Sequence, residues 1–346
     1  MTDDNDNDND NNNADNDNAD NDNAGDDSQR LTPTQDVPGP LAAYARPATL
    51  LRPAAGDPGP GDSSVGGPLL WPAEEPWPVC RAPHVVRKRE KLSEDDRELW
   101  QEYDRRMKAR RRARTPGGSV MTEEEDAART RIMDGAGAID LKTWERIRTV
   151  SEYPSAPAPM IPVLQLRTQD VPHLPVPEGT DLLQLLWCPD EHAEPPGRPH
   201  YWGPNAELRY RAAESVGALV DPPWPEHAKD IYIPRPCVLA PVRVVDLPEE
   251  SELPAEIAET AHAWAESRGV EYARQAACLP GWKAGGWPSW HLTDLVRIDC
   301  ACGARMRLLL TLDSGGDPQL NVGRFGELRV FTCPEDLTHP FRLNLQ

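Results

Sequence analysis

The sequence predicts an α+β protein, mainly antiparallel β, with two duplicated β-rich halves, a helical insertion in the first half and a disordered N-terminal tail. Three features of the 346-residue chain lead to this prediction: an acidic low-complexity beginning, a charged stretch with helical spacing, and short apolar runs that recur in the same order. Short apolar runs bounded by Gly, Pro and Asp are typical of strands.

Residues 1–65 are predicted to be a disordered tail and linker. Residues 2–29 contain eleven Asp and no Lys or Arg, and residues 28–65 are rich in Pro and Gly. Such a segment buries too little apolar surface to offset the entropy lost on ordering. The tail supplies more than half of the net charge of −20, which leaves an ordinary charge balance for the rest of the chain. We interpret the tail as a solubilising coil; the alternatives are a polyanion mimic and a weak cation binder.

A charged segment at residues 88–150 is predicted to be helical and to interrupt the first half. Acidic residues between Glu94 and Asp104 precede a basic run, Arg105–Arg114, and Pro and Gly residues then separate it from a second helical stretch. A basic run can bind nucleic acid by neutralising phosphates. This run has no interleaved aromatic residue and follows an acidic half that would repel phosphate, so a solvated helix is the favoured interpretation.

Residues 193–280 are predicted to connect the two halves. Asn205–Glu214 and Cys237–Leu247 alternate between apolar and polar residues, as strands do. Leu253–Gln275 has the spacing of one amphipathic helix. The connecting segment is therefore expected to contribute strands and a helix.

Two parts of the chain share a pattern that indicates an internal duplication. Gly66-Gly67 and Gly285-Gly286 each begin a stretch rich in Trp and Pro, which reaches Cys80 in the first part and Cys300 in the second. The charged segment then separates Cys80 from the next matching stretch. A repeat of this kind outranks local propensity in deciding the fold.

The match continues in two further apolar stretches. Met160–Leu166 corresponds to Met306–Leu312 without a gap, and Leu183–Pro189 corresponds to Leu328–Pro334 at nearly the same distance along the chain. We expect these stretches to be equivalent strands, and the two halves to enclose a cleft. The predicted divisions of the folded part, residues 66–346, are 66–192 for the first half, 193–280 for the connecting segment and 281–346 for the second half.

The chain resembles the YwqG-like family of bacterial proteins, and its actinobacterial branch in particular, over about residues 66–346. The order along the chain carries the resemblance, through Gly66-Gly67-Pro68, Leu69–Pro72, Met160–Leu166, Leu182–Pro189, Pro234–Leu239, Gly281–Lys283, Gly285–Trp290 and Gly326–Pro334. The resemblance implies an antiparallel α+β fold with an internal repeat. It implies no established activity, because the family is functionally uncharacterised. Cys300-Ala301-Cys302 departs from the family, whose relatives often have two residues between these cysteines.

Cysteine and histidine residues lie at matching places in the two halves. Zinc is typically bound by four such ligands in a tetrahedron, and four protein ligands close a site and make it structural. The second half offers Cys300, Cys302, Cys333 and His339 as a candidate zinc site. The first half offers Cys80, His84, Cys188 and His192. The alternative is a set of buried thiols with ordinary surface histidines; Cys237 and Cys278 are interpreted as small buried hydrophobes.

Most motifs of known catalytic chemistry are absent from the sequence, including phosphate loops, nucleophile elbows and zinc-protease helices. The leading hypothesis is therefore a non-enzymatic protein-interaction or ligand-binding module with structural zinc, whose partner is a protein or a small ligand. One alternative is a zinc-dependent hydrolase with an incomplete coordination shell, in which His200 or His291 lies near an open metal position. Another is nucleic-acid binding through Arg105–Arg114, which is not favoured.

The cellular location is predicted from three absences. No apolar run approaches the length of about 20 residues that a membrane helix needs. The chain begins Met1-Thr2-Asp3, without the basic and apolar parts of a secretory signal. Seven cysteines, an odd number, suit reduced thiols or metal ligands better than a disulfide framework. These features predict a cytoplasmic protein without a membrane span.

Overall fold

The computed structural model describes residues 37–113, 121–195, 198, 200–290 and 293–346. The predictions for residues 1–36, Arg114 and His291 lie outside this part of the chain. Strands and α-helices both occur, and the named strands all pair antiparallel, so the α+β prediction is confirmed.

The described residues form the following elements. In chain order the strands are β1 (Arg46–Leu50), β2 (Pro53–Ala55), β3 (Ser64–Val65), β4 (Val79–Cys80), β5 (His84–Lys91), β6 (Ala138–Asp140), β7 (Glu145–Glu152), β8 (Ala158–Pro159), β9 (Ile161–Arg167), β10 (Leu182–Trp187), β11 (His192–Ala193), β12 (Trp202–Gly203), β13 (Ala206–Arg211), β14 (Cys237–Leu239), β15 (Val242–Asp246), β16 (Lys283–Gly285), β17 (Arg307–Asp313), β18 (Glu327–Thr332) and β19 (Arg342–Leu345). The α-helices are α1 (Gly39–Ala42), α2 (Glu94–Ala113), α3 (Glu123–Met133) and α4 (Ala255–Glu266).

Two six-stranded sheets make up the body of the protein. The first sheet has the order β13-β10-β9-β3-β14-β2, and the second sheet has the order β15-β1-β16-β17-β18-β19. Apolar side chains of both sheets, such as Val163 and Leu185 in the first and Leu310 and Val330 in the second, belong to one buried core. Successive side chains of a strand point to opposite faces, and alternate residues such as Leu183 and Leu185 belong to this core, so the two sheets bury one face of each against the other.

The space between the sheets is therefore filled, which corrects the expectation of a cleft between the halves. A cavity of about 630 Å³ is lined by the first sheet and its loops, including Arg167 and Asp181. A second cavity, of about 150 Å³, is lined by residues of the second sheet and its surroundings, including Trp287 and Phe331. Neither of these two cavities is shared by the two sheets.

Residues 37–65 differ from the linker that their Pro and Gly content predicted. They contain α1, β1, β2 and β3, and Ala48, Leu51 and Val65 are buried. Pro53 is tolerated in a strand because β2 lies at the edge of the first sheet. The short apolar runs become strands because distant parts of the chain supply their hydrogen-bond partners.

The sheets also differ from the predicted division into halves, because they exchange strands. The second sheet contains β1, which comes before the predicted first half and lies between β15 and β16. The first sheet contains β14, which comes from the connecting segment and lies between β3 and β2. The chain crosses between the sheets after Leu50 and again after Leu239.

The matched sequence stretches have the same strand arrangement. Leu166 faces Leu183 across β9 and β10, as Leu312 faces Leu328 across β17 and β18. A β-bulge interrupts both pairs at the corresponding place, after the pairs formed by Leu164 in β9 and Leu310 in β17. The register of both strand pairs, including the position of the bulge, therefore agrees with the ungapped sequence match.

Residues 81–113 and 121–157 form a unit that we call the arm. Its strands make a sheet of order β5-β7-β6, and α2 and α3 lie between β5 and β6 along the chain. The prediction of a helical segment at residues 88–150 is therefore only partly right, because β6, most of β7 and half of β5 fall within it. These strands are largely polar. The backbone hydrogen bonds along β5, β7 and β6 therefore stabilise them, instead of the burial of an apolar face.

The helix predicted at Leu253–Gln275 is shorter in the structure. It ends at Glu266, and Gly269 then takes a positive φ of 72°, which stops the α-helix; one further turn follows at Tyr272–Ala276. Its buried face packs in a cluster with Leu41 and Leu247. No helix in the described ranges has the length and apolar character needed to cross a membrane.

Candidate metal centres

Four side chains of the first half converge at the junction of the arm with the body. Cys80 ends β4, His84 begins β5, Cys188 directly follows β10 and His192 begins β11. Their ligand atoms all lie within 4.8 Å of one another, and we call this set the first cluster. The candidate site predicted from sequence is thus assembled from four separate strand ends.

The spacing within the first cluster suits a tetrahedral ion. The Sγ of Cys80 is 3.3 Å from Nε2 of His192, and the Sγ of Cys188 is 3.5 Å from Nε2 of His84. Around a tetrahedral zinc ion, bonds of about 2.0–2.3 Å place neighbouring ligand atoms roughly 3.3–3.8 Å apart. The four side chains could therefore hold a metal ion without a large rearrangement.

Hydrogen bonds from outside the first cluster orient both imidazole rings. His84 Nδ1 lies 3.2 Å from a carboxylate oxygen of Asp190, and His192 Nδ1 lies 3.3 Å from the carbonyl oxygen of Gly203. Because both oxygens accept, both rings carry a proton on Nδ1 and direct Nε2 towards the thiols. Metal-binding histidines are commonly held in this way by a carboxylate or a carbonyl.

The electrostatics of the first cluster favour a thiolate. The Cys188 thiol donates to Cys80 and lowers the pKa of Cys80 to about 2, with further help from hydrogen bonds of His192, His84 and Asn205, although burial opposes the shift. Hydrogen bonding to Cys80, together with burial, raises the pKa of Cys188. The Asn205 side chain donates to Cys80 Sγ at 3.3 Å. A cation bound here would replace these protons and stabilise both thiolates.

The charge of His84 is balanced within the same region. Hydrogen bonds to Asp190 and to Cys80 raise the pKa of His84 to about 9. Burial alone would raise the pKa of Asp190, but its hydrogen bonds with His84 and the amide of Glu191 and the charge of Lys229 lower it to about 2. Lys229 Nζ lies 3.2 Å from Asp190 and 3.1 Å from Glu191, so these carboxylates are fixed from the opposite side.

Four side chains of the second half also converge, and we call Cys300, Cys302, Cys333 and His339 the second cluster. Their ligand atoms again lie within 4.8 Å of one another. The Sγ atoms of Cys302 and Cys333 are 3.6 Å apart, and Nδ1 of His339 is 3.4 Å from the Sγ atoms of Cys300 and Cys333. The second cluster is nearer the surface, because Cys302 is exposed.

A tight turn explains how cysteines only two positions apart reach the same point. The amide of Cys300 donates to the carbonyl of Ala304, and the amide of Gly303 donates to the carbonyl of Cys300, both at 2.9 Å. Gly303 has a φ of 90°, a conformation that other residues rarely adopt. The one-residue spacing of the cysteines is therefore compatible with both binding the same metal ion.

A second turn returns His339 to Cys333. The amide and hydroxyl of Thr338 both donate to the carboxylate of Asp336, at 2.8 and 2.7 Å. Burial would raise the pKa of Cys333, but hydrogen bonds from His339 and from the amides of Asp336 and Glu335 lower it to about 6. Amide donors of this kind stabilise a thiolate at the second cluster even before a cation binds.

The two clusters occupy equivalent places in the two sheets. The amide of Met160 donates to Pro78 and the amide of Met306 donates to Ile298, both at 3.0 Å, so Cys80 and Cys300 follow at the same position. In the second half a short turn leads on and contributes Cys302. In the first half the arm takes the place of that turn, and its first strand contributes His84.

All eight residues predicted as ligands therefore lie in the two clusters. His200 does not: it is exposed and lies 3.5 Å from Glu194, outside both sets. Cys237 and Cys278 are buried away from the clusters, as predicted. The sequence interpretation missed Asp190, whose position two residues after Cys188 was a usable signal.

Gly203 and Asn205 also contact the first cluster but had no sequence signal, because Gly203 ends β12 and Asn205 lies in the connection between β12 and β13. Comparison with protein-family models gives no match for this chain, and comparison with curated proteins gives none either. The resemblance to the YwqG-like family therefore stays an expectation, and the two clusters are the features on which a function can be argued.

Proposed function

We propose that the protein is a non-enzymatic interaction or ligand-binding module stabilised by two structural zinc ions, one in each cluster. The observation that carries this proposal is the completeness of the ligand sets, since four protein atoms lie within 4.8 Å of one another in each case. Structural zinc is bound by four protein ligands, whereas catalytic zinc keeps one position for water. The chemistry of the donors, two thiols with two imidazoles and three thiols with one imidazole, suits zinc among the divalent metals.

Metal analysis of protein purified without a His-tag tests this proposal. We expect two zinc ions per chain, and one in each of the variants Cys188→Ser and Cys333→Ser. Cys237→Ala is the matched control, because Cys237 is buried but belongs to neither cluster. Metal-free wild-type protein whose unfolding midpoint does not change in chelator would contradict structural zinc.

X-ray absorption at the zinc edge separates the structural role from the hydrolase alternative. A closed pair of sites gives only sulfur and nitrogen neighbours, five sulfur and three nitrogen atoms in total over the two ions. Nitrogen and oxygen neighbours scatter alike, so a sulfur count below five, or an imidazole scattering pattern from fewer than three histidines, would instead favour an open catalytic position occupied by water. The Cys333→Ser variant isolates the first cluster, for which two sulfur and two nitrogen neighbours are expected.

An interaction role is supported by aromatic side chains that face solvent. Tyr153 is 75% exposed, Phe325 is 70% exposed and Trp224 is 59% exposed. Aromatic residues are enriched where proteins contact partners, although single exposed apolar residues also occur without function. The partner is proposed to be a protein or a small ligand.

Nucleic-acid binding through the basic end of α2 has less support. Arg106 forms an ion pair with Glu102, Lys108 with Asp104, and Arg110 with Glu125 of α3. Each pair reduces the positive charge available to phosphates.

We infer that the two sheets derive from an internal duplication in which each copy begins with an exchanged strand. In support, Thr49 of β1 faces Ala284 while Cys237 of β14 faces the equivalent Val65. Thr49 and Cys237 are each followed by Leu two residues later and by Pro four residues later. On this inference the copies begin near β1 and β14 instead of at the glycine pairs.

A further inference from the structure

The arm enters and leaves the body at the first cluster. Cys80 of β4 faces Ala158 of β8. Cys80 is the last residue of the body before the arm, and Ala158 is the first residue of the body after it. In the second half the corresponding bridge pairs Asp299 with Arg305, and only residues 301–303 separate Cys300 from Ala304. The arm is thus an insertion of 81–157 at the position of a metal-binding turn.

The arm holds its own fold through internal contacts. Eight residue pairs join β5 to β7, and the buried guanidinium of Arg146 donates to Asp96 of α2 at 2.7 Å and to the carbonyl of Ile132 of α3 at 2.6 Å. Arg110 also pairs with Glu125 and joins the two helices. None of these contacts requires the body.

The contacts that fasten the arm to the body lie at and just before the start of β5, where Ala82 packs against the apolar cluster of the body that contains Trp71. His84 lies 3.2 Å from Asp190 and 3.5 Å from Cys188, both in the body. The amide of the next residue, Val85, donates to the carbonyl of Glu191 at 2.7 Å. Of the four ligands of the first cluster, His84 is the one that the arm supplies.

We propose that a metal ion in the first cluster fastens the arm to the body, so that loss of the metal releases the arm while both sheets stay folded. The proposal rests on the proposed function, because it requires metal at this cluster. An ion bound by Cys80, Cys188 and His192 of the body holds His84 directly, and with it the first residues of β5. Binding and docking stabilise each other reciprocally, so a docked arm also raises the metal affinity of the first cluster.

The second cluster has no such role, and it provides the control. Its four ligands come from residues 300–339, within the second half alone. Metal there closes the turn at Cys300 and the turn at His339, and neither turn carries an inserted unit. Removing that metal is expected to loosen these turns and to leave the arm in place.

Hydrogen–deuterium exchange of the full chain tests the proposal, with zinc content measured on the same samples. In His84→Ala we expect exchange at least tenfold faster for amides at the start of β5, Val85 among them, and unchanged exchange in β17 and β18. In Cys302→Ala, the matched variant of the second cluster, we expect faster exchange at residues 300–304 and an unchanged arm. Chelator should speed exchange at both places in the wild type, and added zinc should then slow it again. Added zinc should not slow exchange at β5 in His84→Ala.

The outcomes separate the two proposals. Wild-type protein that holds no zinc at the first cluster would overturn the proposed function. Protein that holds zinc there, but whose β5 exchange is unchanged when the zinc is removed, would overturn the fastening role and leave structural zinc standing. If exchange rises equally throughout both sheets, the metal supports the whole body and the arm has no separate dependence on it.

Discussion

At the scale of single residues, a buried ion pair stabilises the edge of the second sheet. Lys283 and Asp246 are 1% and 0% exposed, and Lys283 Nζ lies 2.8 Å from the Asp246 carboxylate. The carboxylate also accepts from the amides of Leu279 and Trp287, both at 2.8 Å, so its charge is fully compensated. Lys283 Nζ donates in addition to the carbonyl of Trp287. The pair thereby connects β15, β16 and the Trp-rich loop.

Replacing Asp246 by Ala should destabilise the protein strongly, because it leaves the Lys283 ammonium buried without a counter-charge. We expect a loss of about 3–5 kcal/mol in the free energy of unfolding, measured in urea by tryptophan fluorescence. The double variant Asp246→Leu/Lys283→Met should lose less, since it removes both charges and keeps apolar volume. A single variant that loses under about 1 kcal/mol would show that water reaches the lysine.

At the scale of elements, a glycine permits the exchanged strand to approach its sheet. Gly66 follows β3 with a φ of 63°, and a Cβ built on it would lie 2.6 Å from the carbonyl oxygen of Pro234 and 2.9 Å from that of Arg235. Those two residues lead into β14. Both the backbone conformation and the close approach therefore require glycine.

The variant Gly66→Ala is expected to lower the free energy of unfolding by about 2 kcal/mol or more, because the added methyl group meets backbone that cannot move aside easily. Gly61→Ala is the control: its φ is not positive and no atom lies within 4 Å of the built Cβ. Thermal unfolding of both proteins measures the difference. Equal midpoints would mean that β14 can shift away from β3 without cost.

At the scale of the whole molecule, the exchange of β1 makes the N-terminal part of the fold essential to the distant second sheet. β1 lies between β15 and β16, and its register with β15 covers five residue pairs from Arg46 to Leu50. Removing a central strand leaves two unpaired edges and opens the shared core.

Two deletions distinguish this role from that of the acidic segment. Deleting residues 1–30 is expected to leave the midpoint of thermal unfolding nearly unchanged, because the sequence there offers almost no apolar surface to bury. Deleting residues 1–50 should abolish the cooperative transition, because it removes β1. Circular dichroism and scanning calorimetry measure both. A cooperative transition that survives the longer deletion would mean that another segment can replace β1.

The sequence by itself determined the local features of this protein. The apolar run Met160–Leu166 and its match at Met306–Leu312 predicted two equivalent strands, and paired Cys and His residues at matching positions predicted which side chains converge in the two clusters. These predictions succeeded because apolar alternation and ligand spacing are properties of a few neighbouring residues.

Only the tertiary structure decided which strands lie beside one another. The Pro-rich run around β1 and the charged run of β5 lack strong strand patterns, and each is a strand because β15 or β7 supplies its hydrogen bonds. The arm likewise places His84 beside Cys188 across 104 residues of sequence. Partners of this kind are fixed by backbone hydrogen bonding and by burial in a shared core, which depend on the whole chain and leave no local trace in the sequence.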